Sequence, residues 1–368
     1  MVTRDNGGTW FRTSTITLFV LMLLAAGLLA GCGGNANATN NKTEPLTENT
    51  DPVVPIDPPA VEPEPVDPPS FIAPLTGLAL PTEPVQRPFA VMVNNFSAAR
   101  PQSGLPHADM VWEVLAEGGI TRLVAIFQSD NFTDPIGPIR SNRPYLIRIG
   151  EALGGVLVHA GASNDGYDVL QHQHKAYLDE ITNAGSYFYR ESFRKAPHNL
   201  YSNLEKLREG ALKKKYDQTV TIPTFPFSDA GATAAGVPAA SVNLNFLLKD
   251  YKVSYAYDEA TKLYLRSING EPHTDLTTGD QLSATNLVVL GAKHKTYDDY
   301  GRLEVNLESG GPAVLIQLGK AVECTWVRSD DDVIRLMKDG QELPFVPGKT
   351  FYHIVPLSPT FAGHVSYS

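Results

Sequence analysis

Hydrophobic and polar residues divide the chain into stretches of different character. An apolar run at 16–30 is followed by a Pro-rich, acidic stretch that lacks apolar periodicity. Between 71 and 216, short apolar runs alternate with helical spacing, which predicts strands mixed with helices. From 241 to 368, short runs rich in β-branched and aromatic residues are separated by turns that contain glycine. This second pattern predicts a mainly β region.

A hairpin is predicted in the first folded region. Two apolar runs, 111–117 and 120–127, are separated by two glycines, which favour a two-residue turn. Because the side chains of a strand alternate between its two faces, that register places Glu113, Glu117 and Arg122 on one face of the sheet.

Four further elements are predicted in the same region. Buried strands are expected at 88–94 and 155–159, where short apolar runs occur. Ser141 is expected to cap a helix over 142–153. A second helix is expected to begin at the capping box 202–205, where Ser and Glu are three residues apart.

The second region is predicted to be built from hairpins and further strands. Residues 251–257 and 263–268 flank a short polar turn, which indicates a hairpin. Further strands are expected at 286–290, 313–317 and 351–355. The expected tight turns include Asn269-Gly270 and Asp339-Gly340.

The N-terminal residues read as an export signal. Arg4 and Arg12 precede the apolar run, which is shorter than the roughly 20 residues that a membrane-spanning helix needs. The run ends in Leu-Ala-Gly-Cys, the order of a lipobox. We therefore expect Cys32 to carry the lipid after removal of residues 1–31, and the protein to be extracytoplasmic and anchored to the cell membrane. Residues 32–70 would form an acidic, Pro-rich tether.

Composition excludes several classes of protein. The 368 residues carry 30 Lys+Arg against 40 Asp+Glu, a net charge of −10, which argues against nucleic-acid binding. Two cysteines exclude a disulfide scaffold and a Cys-rich zinc module. No Walker A, Rossmann or G-x-S-x-G pattern occurs, and His172 and His174 lack the spacing of a recognised metal motif. We therefore expect no cofactor and no metal.

Several motifs in order resemble those of the YerB-like bacterial lipoproteins. They include 74–78, 87–95, 99–104, 117–122, 136–141, 159–161, 197–201, 272–279 and 282–286. The resemblance spans most of the folded chain. It implies an α+β protein of a Gram-positive cell envelope. It also implies an N-terminal layered α/β sandwich, a smaller C-terminal β-rich domain, and a function that is unknown in the family.

The chain is accordingly divided into five segments. They are a lipoprotein signal peptide at 1–31, a tether at 32–70, an α/β domain at 71–216, a linker at 217–240 and a β-rich domain at 241–368.

The candidate ligand site is a group of polar residues in the first domain. Arg140 and Arg143 flank a predicted helix N-terminus, where backbone N–H groups favour an anion, and guanidinium groups bind carboxylate or phosphate with two hydrogen bonds. The competing interpretation is a structural ion-pair network. The predicted ligand-binding residues are Asn94, Asn95, Arg100, Glu113, Glu117, Arg122, Arg140, Ser141, Arg143, His159, His198 and Asn199.

These observations favour a non-catalytic module that binds an envelope protein or an anionic glycopolymer, and no catalytic residue is assigned. One alternative is an envelope hydrolase or transferase acting on glycan or phosphodiester. It would need Glu113 or Glu117 to meet His159 or Arg122 in one concave pocket. A carboxyl group of raised pKa beside an arginine in that pocket would favour the enzyme. Another is a scaffold in a cell-wall synthesis complex, for which an exposed apolar patch is the expected sign.

Overall fold

A computed structural model of the chain describes residues 71–329 and 333–368. The predicted signal peptide, the lipobox cysteine Cys32 and the tether lie outside these residues. All the described residues fall within one compact unit, and their fold is mostly β.

Three α-helices occur within the described residues: α1 (Pro144–Ala152), α2 (Asn164–His172) and α3 (Leu204–Lys214). The strands in the first part of the chain are β1 (Phe71–Ile72), β2 (Ala79–Leu80), β3 (Phe89–Asn94), β4 (Met110–Leu115), β5 (Thr121–Phe127), β6 (Val156–His159), β7 (Tyr177–Asp179), β8 (Tyr189–Arg190) and β9 (Leu200–Tyr201). The later strands are β10 (Val237–Pro238), β11 (Ser241–Asn245), β12 (Lys252–Asp258), β13 (Leu263–Ile268), β14 (Glu271–Pro272), β15 (Ser283–Ala284), β16 (Asn286–Thr296), β17 (Leu303–Asn306), β18 (Gly311–Gln317), β19 (Lys320–Arg328), β20 (Ile334–Lys338), β21 (Gln341–Glu342), β22 (Thr350–Pro356) and β23 (Val365–Tyr367).

The central feature is a sheet of 13 described strands, in the order β21-β20-β19-β18-β16-β22-β4-β5-β3-β6-β7, with β10 beside β19 and β17 beside β16. Strand β22 pairs in parallel with both β16 and β4, so this sheet contains strands from before and after residues 217–240. A second sheet has the order β14-β13-β12-β11-β23, with β15 beside β13.

The two faces of the central sheet have different neighbours. Val91 and Val93 share an apolar cluster with residues of the second sheet and of α3. Met92 points to the other face, where its cluster includes residues of α1 and α2. Strands β3, β4 and β5 are buried along their whole length, which explains their continuous apolar runs. Strand β11 alternates between exposed and buried residues because only one of its faces is covered.

Most of the predicted strands occur within a residue or two of their expected bounds. The run 88–94 forms β3, and 155–159 forms β6. The predicted hairpin at 251–257 and 263–268 is the antiparallel pair of β12 and β13. Asn269-Gly270 and Asp339-Gly340 each connect two paired strands, and all four residues have positive φ, as such two-residue turns require.

Both predicted helix caps were wrong by one or two residues. Helix α1 begins at Pro144, and Arg143 is its N-cap; no side chain caps it. In α3 the cap is Asn203, whose Oδ1 accepts a hydrogen bond from the Lys206 N–H at 2.9 Å. The hydroxyl of Ser202 instead donates to the Tyr187 carbonyl at 2.8 Å.

The predicted register of the first hairpin was wrong by one residue. Its connection contains three residues, Glu117–Gly119, and Gly118 and Gly119 both have positive φ. Strand β4 therefore pairs Val114 with Arg122 rather than Leu115 with Arg122. A shift of one residue moves a side chain to the opposite face of a sheet. Arg122 consequently lies on the face that α1 covers, and Glu113 on the other.

Candidate functional site

The structure separates the predicted ligand residues into groups on two faces of the central sheet. Glu113, Asn95 and Arg100 lie toward the second sheet. A second group lies at the end of β3 or near the start of α1. Its members are Arg122, Arg140, Ser141, Arg143, Glu117, Asn94 and His198. The single cluster expected from the sequence does not form, because the register of the hairpin places Glu113 and Arg122 on opposite faces.

Glu113 is the centre of a buried polar network, which we call the Glu113 network. Its Oε2 accepts hydrogen bonds from Arg266 Nη2 at 2.9 Å and from His353 Nδ1 at 3.0 Å. Its Oε1 accepts from the Thr121 hydroxyl at 2.8 Å and from the Tyr251 hydroxyl. The side chains of Glu113, Arg266 and His353 are fully buried. Asn95 Nδ2 also donates to Oε1, at 3.2 Å, so the carboxylate is paired with a charge and has five polar partners.

The network continues through Arg266 toward the edge of the second sheet. Arg266 donates to the Tyr255 hydroxyl at 2.7 Å and to His273 Nδ1 at 3.0 Å. Since His273 Nδ1 accepts, its Nε2 donates to Gln102 Oε1, at 2.7 Å. Gln102 Nε2 in turn donates to Asn95 Oδ1 at 2.9 Å. These contacts connect residues on either side of the 217–240 segment.

Electrostatics favour an ionised Glu113 with neutral histidines around it. Burial opposes ionisation, but Arg266 and the hydrogen bond from His353 together bring the pKa of Glu113 well below its usual range. Burial lowers the pKa of His353, and burial together with Arg266 lowers that of His273. A buried ion pair with its hydrogen bonds satisfied fits a structural role for the network. The competing interpretation of Glu113 as part of a structural ion-pair network therefore describes its contacts better, although its ionic partner is Arg266 rather than Arg122.

Sequence analysis missed most members of the Glu113 network, namely Gln102, Thr121, Tyr251, Tyr255, Arg266, His273 and His353. Two signals could have identified some of them. Arg266 occupies an inward position of β13, between the buried residues Tyr264 and Ile268. His353 interrupts an otherwise apolar strand that is buried along its length. A single charged or polar residue at an inward position requires a buried partner.

On the opposite face, three arginines surround one carboxylate; we call Arg122, Arg140, Arg143 and Glu117 the arginine cluster. Arg143 Nε donates to Glu117 Oε1. Arg122 is buried and donates to the Ser141 carbonyl at 2.6 Å. Within the described residues, Arg122 and Arg140 have no carboxylate oxygen within 4 Å, and no hydrogen-bond acceptor meets the Arg140 guanidinium.

The arginines of this cluster are close enough to destabilise one another's charge. Burial and the neighbouring Arg143 lower the pKa of Arg122 to about 10. Burial and Arg143 also lower the pKa of Arg140. Among the described residues, Glu117 is the carboxylate that offsets these charges, and Arg143 helps to lower its pKa. The cluster thus carries three positive charges and one negative charge beside the N-terminus of α1, which favours an anion.

Asn94 and His198 join the cluster to a neighbouring loop. Asn94 Nδ2 donates to His198 Nδ1 at 2.9 Å, and the His198 ring stacks on Phe96 with centroids 5.3 Å apart. Burial and the charge of Arg140 lower the pKa of His198. Asn199 has a different role, since it accepts from Arg190 at 3.1 Å and donates to the Glu191 carbonyl at 2.9 Å within the loop.

His159 lies at the end of β6 and is fully buried. Its Nδ1 donates to the Gly161 carbonyl at 3.0 Å, and Asp179 Oδ1 is 3.5 Å from the same nitrogen. Its Nε2 has no partner among the described residues. Burial lowers the pKa of His159 to about 4, so the ring is neutral at physiological pH.

Arg100 is apart from the arginine cluster and close enough to Arg266 for that charge to lower its pKa further, beyond the effect of burial. Its guanidinium carbon lies 5.3 Å from the centroid of the Tyr251 ring, on the side of the Glu113 network. Arg100 therefore belongs to a different environment from Arg122.

Two family models match the chain and together cover most of the described residues. Residues 75–217 match "Protein of unknown function (DUF3048) N-terminal domain", and residues 242–352 match "Protein of unknown function (DUF3048) C-terminal domain". The chain belongs to this family, the YerB-like proteins.

The chain is similar to the YerB protein of Bacillus subtilis both in sequence and in structure. The chain is 37% identical over 287 residues to "Putative lipoprotein YerB" of Bacillus subtilis (strain 168), covering 77% of this chain and 86% of the relative. It also matches the crystal structure of the YerB protein from Bacillus subtilis with a TM-score of 0.74 and 36% identity, over 81% of this chain and 100% of that one.

In the part of the chain that the structure describes, no helix combines the length and apolar character needed to cross a membrane.

Proposed function

We propose that this protein is an extracytoplasmic lipoprotein of a Gram-positive-type envelope, anchored to the membrane through Cys32. The lipobox sequence before Cys32 supports the anchor, and the name of the Bacillus subtilis relative describes that protein as a lipoprotein. A diacyl anchor contributes about 0.8 kcal/mol for each buried CH₂ group. The tether at 32–70 would hold the folded unit away from the bilayer.

The proposed activity is non-catalytic binding of an anionic envelope ligand at the arginine cluster. The observation that carries it is the excess charge: three guanidinium groups surround one carboxylate at the start of α1. Among the residues that the structure describes, no acceptor meets the Arg140 guanidinium, so its donors are available to such a ligand. The ligand would be an anionic glycopolymer or an acidic segment of an envelope protein, since phosphate and carboxylate both pair with guanidinium groups.

The pKa directions of Glu113 and Glu117, the two candidate catalytic carboxylates, favour binding over catalysis. A general acid needs a raised pKa, whereas the pKa of Glu113 and that of Glu117 are both lowered. Glu113 is also buried within its network, and Glu117 is paired with Arg143. The hydrolase or transferase and the scaffold in a cell-wall synthesis complex stay as alternative predictions.

We also propose the division into an α/β domain at 71–216, a linker at 217–240 and a smaller β-rich domain at 241–368, with a layered α/β sandwich in the first. The packing of α1 and α2 on one face of the central sheet and of α3 on the other supports the layered arrangement.

Sedimentation with purified Gram-positive cell walls tests the binding activity. The full chain in detergent micelles would be mixed with walls that retain, or have been stripped of, their anionic polymers. We expect binding that requires the polymer and weakens between 50 and 300 mM salt, because salt screens exposed charges. The double variant Arg140→Ala/Arg143→Ala should bind at least about tenfold more weakly, since it removes two charge-assisted contacts.

A control variant that loses the same positive charge elsewhere distinguishes binding at this site from non-specific electrostatic attraction to the polymer. Lys213 and Lys249 are exposed and distant in sequence from the cluster, so Lys213→Ala/Lys249→Ala removes the same charge. We expect the control to bind like the unmodified chain. Equal loss in both double variants would contradict a specific site. Binding to stripped walls that still requires Arg140 and Arg143 would assign the ligand to an envelope protein.

A further inference from the structure

A small pocket lies beside the Glu113 network, on the face of the central sheet opposite the arginine cluster. Its volume is about 260 Å³, below the range of about 300–1,000 Å³ typical of pockets for drug-sized ligands, so it suits a smaller molecule. Residues on both sides of the 217–240 segment line it. The lining residues that matter for binding are Asn95, Phe96, Arg100, Ile120, Leu248, Asp250 and Tyr251.

The polar part of the lining is held in place by the network beneath it. Asn95 Nδ2 donates to the Tyr251 hydroxyl at 2.6 Å and to the Thr121 hydroxyl at 2.7 Å. Asn95, Thr121 and Tyr251 are all at least nine-tenths buried. Because their positions are fixed before a ligand arrives, binding there costs little conformational entropy.

Arg100 contributes an unpaired positive charge to this pocket. Its Nε is buried and has no hydrogen-bond partner, and no acceptor or carboxylate within the described residues pairs with its guanidinium. The guanidinium carbon lies over the Tyr251 ring, 5.3 Å from its centroid. A partly buried charge with one buried, unsatisfied donor is less favourable than the same charge paired with an anion.

Asp250 contributes the opposite charge. It is exposed and lines the same pocket, yet no oxygen of its carboxylate lies within 4 Å of the Arg100 guanidinium. Opposite charges that share a pocket without touching can each pair with a different group of one ligand. The lining also includes Phe96, Ile120 and Leu248, which have apolar side chains.

We propose that this pocket binds a free amino acid with an apolar side chain. The ligand's carboxylate pairs with Arg100, its ammonium group pairs with Asp250, and its side chain contacts Phe96, Ile120 and Leu248. The site shares no lining residue with the arginine cluster, so variants of one site leave the residues of the other unchanged.

Calorimetric titration of the full chain with leucine, and then with alanine, valine and phenylalanine, tests the proposal. N-acetyl-leucine lacks the ammonium group and leucinamide lacks the carboxylate, so each should bind at least about tenfold more weakly than leucine. Arg100→Met should weaken leucine at least tenfold but leave the residual leucinamide affinity unchanged. Asp250→Asn should weaken leucine and leave N-acetyl-leucine unchanged.

The control variant is Lys213→Met, which removes an exposed charge elsewhere and should bind leucine normally. Thermal unfolding of each variant would check that it is folded. Arg100→Lys retains the charge and should bind more tightly than Arg100→Met. The proposal is overturned if none of the four amino acids binds at 10 mM, or if Arg100→Met and Asp250→Asn bind leucine as the unmodified chain does.

Discussion

At the scale of single residues, Glu113 shows how burial decides the role of a carboxylate. From sequence alone it was a candidate ligand contact or acid. In the structure it pairs with Arg266 at 2.9 Å where neither side chain reaches solvent. The free-energy cost of removing both charges from water is offset only if each keeps its partner. The pair therefore constrains how the second sheet packs on the central sheet.

Substitution of Glu113 tests this role. Glu113→Gln leaves the Arg266 charge buried without a counter-charge, and we expect the free energy of unfolding to fall by about 3–5 kcal/mol. Glu308 pairs with Arg148 and Arg328, but its own side chain is 57% exposed, so Glu308→Gln should change the free energy of unfolding by about 1 kcal/mol or less. Urea denaturation followed by circular dichroism measures both values.

Substitution of Arg266, the ionic partner of Glu113, checks whether the two charges stabilise the fold as a pair. If the two charges depend on each other, Glu113→Gln combined with Arg266→Met should cost less than the sum of the two single changes. Strictly additive costs would show that the pair does not act as a unit.

At the scale of elements, helix ends depend on local geometry that sequence patterns locate only approximately. The Ser-Asn-Leu-Glu sequence at 202–205 marked the start of α3, yet Asn203 rather than Ser202 is the cap. Both residue types cap helices well, so the sequence alone does not choose between them. Ser202 is fully buried, and its hydroxyl bonds to the Tyr187 carbonyl, which settles the choice.

The cap of α3 gives a prediction at this scale. Asn203→Ala removes the acceptor for the Lys206 N–H, and we expect a loss of about 1 kcal/mol in the free energy of unfolding. Asn203→Asp retains an acceptor and should be near neutral. Thermal or urea unfolding compares the two variants, and an equal loss in both would refute a capping role for Asn203.

At the scale of the whole molecule, the two family segments share one sheet. Strand β22 from the later segment pairs in parallel with β4 from the earlier one, over Thr350–Met110 to Ile354–Val114. The Glu113 network joins the same two segments through side chains. Separation of the two segments would break both the pairing of β4 with β22 and the contacts of Glu113 with Arg266 and His353.

We therefore expect the folded part to unfold in a single cooperative transition. Circular dichroism and differential scanning calorimetry should give coincident midpoints, with equal calorimetric and van't Hoff enthalpies. Glu113→Gln should lower the midpoint of the whole transition. Two separate transitions, of which only one moves in the variant, would show that the segments fold independently.

The sequence by itself determined the family, the lipobox and most strands. These features follow from local order: apolar runs predict strands, and Asn-Gly and Asp-Gly predict tight turns whose φ angles only a few residues adopt. Only the tertiary structure decided which polar residues meet. One extra residue in the turn at Glu117–Gly119 moved Arg122 away from Glu113, because side chains alternate between the faces of a strand. Arg266 and His353, distant in sequence from Glu113, became its partners through long-range pairing of strands that no local pattern encodes.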